Sequence, residues 1–269
     1  MQQSLLIGLL SLANIAAIAG PTRAAPPELL SGTYTNEEQV YFDTEAGRKA
    51  PTWSSIRIHA EGDEIVIEEP DAFGTTHGEP RRVKVARNAA LTALDYGTCK
   101  RIYLSEKGGL ALTSVSGTCA DGPVIKAITR FALTVALPDG SSTELRRARP
   151  VSCWVAILKD KPKADGKEDW YYKSAIMLHD QGGRAAIGGG DTGAQPVIIR
   201  LRNVTWDKGS TNAPVVTLYV HKPDKPDHAE AYSWAAPSSS RVGINLRWVQ
   251  SGCSIDAKPS VQTATKFKG

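Results

Sequence analysis

Apolar and polar residues alternate with a period of two through most of this chain, and turns carrying glycine or aspartate interrupt the alternation every few residues. Successive side chains of a strand point to opposite faces, so such a pattern builds half-buried strands and leaves little material for amphipathic helices. Ser55-Ile56-Arg57-Ile58-His59 and Glu64-Ile65-Val66-Ile67-Glu68 flank Glu61-Gly62-Asp63 and predict a hairpin. A second hairpin is predicted where 99–104 and 110–115 flank Glu106-Lys107-Gly108-Gly109. Further strands are expected over 82–86, 128–136, 143–147, 153–159, 170–178, 197–206, 215–221 and 242–250, separated by turns such as Pro138-Asp139-Gly140-Ser141. One short helix is expected near 36–46. Thr35-Asn36-Glu37-Glu38 forms a capping box, its early carboxylates suit the positive end of the helix dipole, and Gly47 can end the segment. The expected fold class is mostly β, an antiparallel barrel or sandwich with that one helix.

The N-terminal segment has a different character. An apolar stretch runs from Leu5 to Ala19 and ends in small residues, too short for a comfortable membrane span and matching the core of a signal peptide. Cleavage after Ala19 or after Ala24 fits the small-x-small rule. No Lys or Arg precedes the stretch, and an uncleaved anchor is the competing reading. Cleavage places the chain in the periplasm or the exterior, with no integral membrane segment in the mature protein. The expected organisation is a signal peptide over 1–24, a β domain over 25–149, a second β domain over 150–255 and a polar tail over 256–269. A single continuous sandwich or barrel is the alternative.

Export makes disulfides the default state of Cys99, Cys119, Cys153 and Cys253. A hairpin turn centred on Gly109 places Cys99 opposite Cys119, which leaves Cys153 for Cys253. No pair has the C-x-x-C spacing of a zinc site, and His59, His77, His179, His221 and His228 show no ligand spacing beyond a loose 221/228 pair, so no metal is expected. With 32 basic against 28 acidic residues the net charge is only +4 and dispersed. Arg81-Arg82 and Arg146-Arg147 are too short to mark a nucleic-acid surface.

At Leu30-Ser31-Gly32-Thr33-Tyr34-Thr35-Asn36-Glu37-Glu38-Gln39 the chain resembles the opening motif of T-type phycobiliprotein chromophore lyases: a Gly, an aromatic, then Ser/Thr-Asn and a Gln three residues on. Pro80-Arg81-Arg82-Val83 is similar to that family's Pro-aromatic-Arg-x-Arg-Val run, without its aromatic. Thr98-Cys99 and Gly117-Thr118-Cys119 are similar to its two cysteines, in the same order. Trp206-Asp207-Lys208-Gly209 is similar to a late Trp-Asp-Arg-Gly segment, but lies much further from Cys119. The resemblance covers residues 30 to about 120. It implies a lipocalin-like antiparallel barrel in the first half, with a cavity for a bilin-like or other flat apolar ligand. It does not imply lyase activity, since export separates the chain from cytoplasmic phycobiliproteins. Tyr34, Gln39, Arg81 and Arg82 are then candidates for a cavity mouth, the arginines offering fork donors to a ligand carboxylate.

Gly188-Gly189-Gly190-Asp191-Thr192-Gly193 satisfies both G-x-G-x-x-G and Asp-Thr-Gly. Gln195-Pro196 follows where a dinucleotide site needs a helix, and no second Asp-Thr-Gly or Asp-Ser-Gly exists, so the segment reads as a flexible glycine loop. His179-Asp180 is the nearest approach to an acid/base pair, but neighbours in a strand face opposite ways. No catalytic residue is assigned. Trp154, Trp206 and Trp248 sit in apolar strands and read as core, whereas Tyr171 and Trp234, in polar settings, are candidates for a sugar-stacking surface. The leading expectation is an exported, non-enzymatic β-barrel protein that binds a small apolar or amphipathic ligand or an envelope protein, without a resident cofactor. The alternative is an exported hydrolase or carbohydrate-binding protein using the aromatic and glycine-rich second half.

Overall fold

A computed structural model describes residues 29–255 except 89, 107, 120–122, 138, 207 and 208. The expected signal segment, the polar tail, Pro138 and the Asp207-Lys208 part of the tryptophan segment lie outside the described residues. The first half forms a closed antiparallel barrel of ten strands. They are β1 (Gly32–Thr35), β2 (Ser55–Glu61), β3 (Glu64–Glu68), β4 (Arg81–Arg87), β5 (Leu91–Asp95), β6 (Cys99–Glu106), β7 (Gly109–Gly117), β8 (Val124–Thr129), β9 (Ala132–Ala136) and β10 (Ser142–Arg147). Each pairs with its neighbour in sequence, and β1 closes the barrel by pairing with both β2 and β10.

Alternation decides what lies inside. Ile56 and Ile58 of β2, Ile65 and Ile67 of β3, and Leu133 and Val135 of β9 turn inward, with Tyr34 and Tyr103 fully buried among them. The Tyr34 hydroxyl donates to the carbonyls of Leu29 and Leu30 at 3.1 and 3.0 Å, and that of Tyr103 to the Ile125 carbonyl at 2.9 Å, so neither buries an unsatisfied polar group. These side chains pack together inside the barrel, where the resemblance implies a cavity. A pocket of about 310 Å³ remains at one barrel end, lined by Trp53, Ile56, Val135 and Leu145, at the small end of the ~300–1,000 Å³ usual for ligands.

The helix α1 (Glu37–Glu45) follows β1. Thr35 Oγ1 accepts from the Glu37 amide at 3.2 Å, while the Asn36 side chain does not cap it. Asn36 instead donates to the Thr52 carbonyl at 2.9 Å and accepts from the Ser54 amide at 2.8 Å, pinning the approach to β2. Gly47, at φ +66°, ends the segment.

The second half is a sandwich. One sheet, in the order β12-β11-β18-β17, uses β11 (Pro150–Leu158), β12 (Trp170–His179), β17 (Arg241–Asn245) and β18 (Val249–Ile255). The other, β13-β14-β15-β16, uses β13 (Gln181–Ile187), β14 (Val197–Val204), β15 (Val215–His221) and β16 (Ala229–Ala235). Their facing residues make one core, including Val151, Val155, Ile199, Leu218 and Val249, with no member in common with the barrel core. The chain passes from one core to the other across Ala148-Arg149. Beside this crossing Asp180, fully buried between β12 and β13, accepts from the Arg149 amide and Nε, both at 2.7 Å.

Both disulfides form with the expected pairing, Cys99 with Cys119 and Cys153 with Cys253. The hairpin register differs from expectation. Glu106 pairs with Gly109, so the turn sits earlier, and Cys99 lies opposite Gly117 with Cys119 just past the strand end. Gly117, at φ +79°, turns the chain there, and a Cβ would lie 2.4 Å from the Thr98 carbonyl oxygen. Two other expectations fail for local reasons. The strand expected over 128–136 is the β8–β9 hairpin, folded at Arg130-Phe131; that over 242–250 is split into β17 and β18. The glycine segment holds a short 3-10 turn, Gly190–Thr192, in which Thr192 Oγ1 donates to the Gly189 carbonyl at 2.8 Å.

Candidate functional site

Barrel and sandwich meet where α1 packs on the outer face of β13 and β14. Strand β14 sends Ile199 and Leu201 into the sandwich core and presents Arg200 and Arg202 to the helix. Glu38 takes Arg202 in a two-point ion pair, 2.7 and 3.0 Å, with both side chains about 3% exposed. Glu37 pairs with Arg200, approaches Arg184 at 3.4 Å and accepts from the Trp53 indole at 2.6 Å. The Arg202 guanidinium also lies 3.6 Å from the Tyr41 ring centroid. Burial opposes the charge of both arginines. In Arg202 the Glu38 hydrogen bond and charge outweigh it and the pKa is raised, whereas in Arg200 burial wins and the pKa is lowered despite Glu37. Gly182, at φ +87°, lets β13 pass close to the helix: a Cβ there would meet Glu37 Cγ at 2.4 Å.

Beside this junction a cleft of about 550 Å³ opens between the two units. The barrel contributes Arg57 from β2, Arg147 from β10 and Phe73 from the turn after Pro70; the sandwich contributes Met177, His179 and Arg184. Asp71 Oδ1 accepts from the Phe73 and Thr75 amides, both at 2.9 Å, and so fixes that turn, while the Ala72 carbonyl accepts from the Arg184 amide at 3.0 Å. Three guanidiniums line the cleft, and among the described residues none that line it is acidic. Arg57 reaches Glu68 at 2.7 Å and Arg184 shares Glu37, both partners standing outside the lining. Ala148, Pro150 and Leu178 supply apolar wall, with Phe73 and Met177 exposed at the rim.

The residues expected at a cavity mouth do not converge. Tyr34 is inside the barrel core, and its burial raises its pKa against the pull of Arg147. Gln39 is exposed on α1, where its Oε1 accepts from Thr143 Oγ1 at 3.2 Å. Arg81 and Arg82 lie on β4 and pair with Glu69 and Glu61 at the surface. Tyr171 packs against the sandwich core, and its neighbour Tyr172 is the exposed one. Trp234 is 65% exposed on β16, in the other sheet. Trp154 and Trp206, expected in the core, are both partly exposed. His179 and Asp180 form no dyad, since Asp180 binds Arg149 and His179 faces the cleft. Among the described residues no group of His, Cys, Asp and Glu side chains is arranged to hold a metal, and no helix is long and apolar enough to cross a membrane.

Arg57, Arg147, Arg184, Arg200 and Arg202 escape a reading by period alone. Alternation marks them as outward, and outward residues of a strand are taken as solvated. The available signal was the carboxylate pair Glu37-Glu38 at the start of a helix with thin apolar content.

His179 yields a measurable consequence. Its Nδ1 is shut off from solvent without a hydrogen-bond partner, and burial, opposed by Glu37 and assisted by Arg57, lowers its pKa to about 4. His221, buried beside Arg200, is lowered to about 4 as well. A base whose folded pKa is depressed stabilises the fold fully above its unfolded pKa and loses that contribution as the pH falls toward the folded value. Stability is therefore expected to decline between pH 6.5 and 4, by roughly 3 kcal/mol from His179. Urea midpoints at pH 7, 5.5 and 4 should show a shallower decline in His179→Gln; an identical pH dependence would refute the assignment.

No family model, curated protein or solved structure matches this chain. The fold and its junction define it as a two-unit β protein, a ten-stranded barrel locked to an eight-stranded sandwich by buried ion pairs.

Proposed function

We propose that this is an exported, non-enzymatic binding protein that holds an amphipathic anion, a carboxylate or phosphate head on an apolar body, in the cleft between barrel and sandwich. The observation that carries the reading is the lining of that cleft: three guanidiniums and, among the described residues, no acid beside an apolar wall. Planar guanidiniums match carboxylate and phosphate oxygens two at a time, and a low-dielectric wall strengthens those contacts. His179, neutral at ordinary pH, adds a ring nitrogen without a competing charge. Two disulfides suit an oxidising compartment, in keeping with the signal-like N-terminus. The amphiphile enters from the junction rather than from the barrel interior.

Calorimetry with laurate and with dodecanol separates head from tail. Laurate is expected to bind saturably and dodecanol more weakly. Arg57→Gln should weaken laurate binding by about tenfold or more, the loss of one charge-assisted contact. Equal affinity for both probes, or no effect of Arg57→Gln, would overturn the proposal. Native mass spectrometry of the protein from its source compartment gives an independent readout through any ligand retained.

A further inference from the structure

The outer face of the β12-β11-β18-β17 sheet carries a groove of about 640 Å³ that shares no lining residue with the cleft. Its origin is a row almost without side chains. Trp154 on β11 faces Gly252 on β18, and Gly252 faces Gly243 on β17. A Cβ on Gly252 would stand 2.7 Å from the indole Nε1 and 3.0 Å from Cε2, so the indole lies directly over that glycine. A Cβ on Gly243 would meet only backbone, the Ser251 carbonyl oxygen at 3.2 Å and the Gly252 Cα at 3.8 Å, and no side chain fills the space above it. The result is a trough with an aromatic wall.

Residues two positions away share a strand face. Gln250 and Ser254 therefore flank Gly252, and Arg241 and Asn245 flank Gly243, and all four line the trough. Among the described residues their side chains make no hydrogen bond or ion pair. Arg241 is the one charged lining residue among those described. On the other side Tyr172, 60% exposed, lies 6.1 Å from Trp154 between ring centroids at an interplanar angle of 30°, extending the aromatic shelf.

We infer that this trough binds a glycan chain, with a sugar ring laid on Trp154 and its hydroxyls held by Asn245, Gln250 and Arg241. A sugar presents an apolar C–H face and a rim of hydroxyls. An exposed indole beside amide and guanidinium groups, which together donate and accept, matches both. A peptide laid along the edge strand β17 would instead draw on backbone groups, leaving the planar side chains and the indole unused. Arg241 admits a sugar carboxylate as well as neutral rings.

The full-length mature protein should be titrated with cellohexaose, chitohexaose and sodium alginate, following tryptophan fluorescence and calorimetric heat. At least one is expected to bind, and Trp154→Ala should weaken it by about tenfold or more. Gly243→Val fills the trough; its Cβ would stand 3.2 Å from the Ser251 carbonyl oxygen, a contact the sheet meets by a small shift, so it should abolish binding while both disulfides form and the thermal transition stays cooperative. Loss in both variants supports the site. Undiminished binding by Gly243→Val, absence of binding to all three glycans, or saturable capture of an extended peptide at the same trough would overturn it.

Discussion

Glu38→Ala should destabilise the protein by about 3 to 5 kcal/mol, far more than an exposed ion pair is worth. The truncation leaves the Arg202 guanidinium buried against Tyr41 without its two carboxylate contacts, 2.7 and 3.0 Å in the intact chain. The penalty belongs to the stranded cation and not to the pair, so removing both partners should behave differently. Glu38→Met combined with Arg202→Met is expected to lie within about 2 kcal/mol of the parent, in either direction. Urea unfolding followed by tryptophan fluorescence measures both variants. Because the pair joins two units with separate cores, Glu38→Ala should also split unfolding into two transitions, one for the barrel and one for the sandwich. A single variant costing less than about 1 kcal/mol would mean that Arg202 finds water or another partner when Glu38 is gone.

Loss of the Cys153–Cys253 bridge, by substitution of both residues with serine, should lower stability by about 4 to 5 kcal/mol. The two cysteines are 100 residues apart in sequence yet sit directly opposite each other on β11 and β18. The bridge thus removes a large loop entropy from the unfolded chain without asking the sheet to bend toward it. Cys99–Cys119, with a separation of 20, closes a far smaller loop, and its loss should cost about 3 kcal/mol, confined to the barrel. Denaturant midpoints for the two double-serine variants, each measured with and without reductant, test the order. A larger effect from the hairpin bridge would show that the sandwich core holds β11 and β18 together unaided.

The hairpins of β2 with β3 and of β6 with β7 were legible because their alternation and turn residues lie within about twenty positions of each other. So was α1, from its acidic first turn and Gly47. The disulfide pairing followed from the second hairpin even though its register was displaced. Trp154 shows a signal present but misweighted. Val151, Cys153, Val155 and Ile157 all face the core, so alternation alone places the indole outside, whereas the apolar composition of its neighbours suggested the opposite. Tyr171, expected at the surface, is drawn inward by the same alternation: it pairs with the inward Ile157, whereas Tyr172 pairs with Ala156. Strand β13 was concealed by Gly182 and Gly183, which read as loop and serve as the close approach to α1 and to the turn at His179.

By itself the sequence determined the mostly β class, the one helix and the local hairpins, which rest on contacts between near neighbours or on simple period, and the cysteine pairing, which rests on one hairpin and on what it leaves over. Only the tertiary structure decided that Tyr34 and Tyr103 stand inside the barrel, that Arg200 and Arg202 are buried, and that a cationic cleft and a glycine trough lie open. Period two says that a side chain leaves one face of a sheet, not what covers that face. The cover for Arg202 is Glu38, 164 residues earlier in the chain, and no local pattern connects them until barrel and sandwich meet.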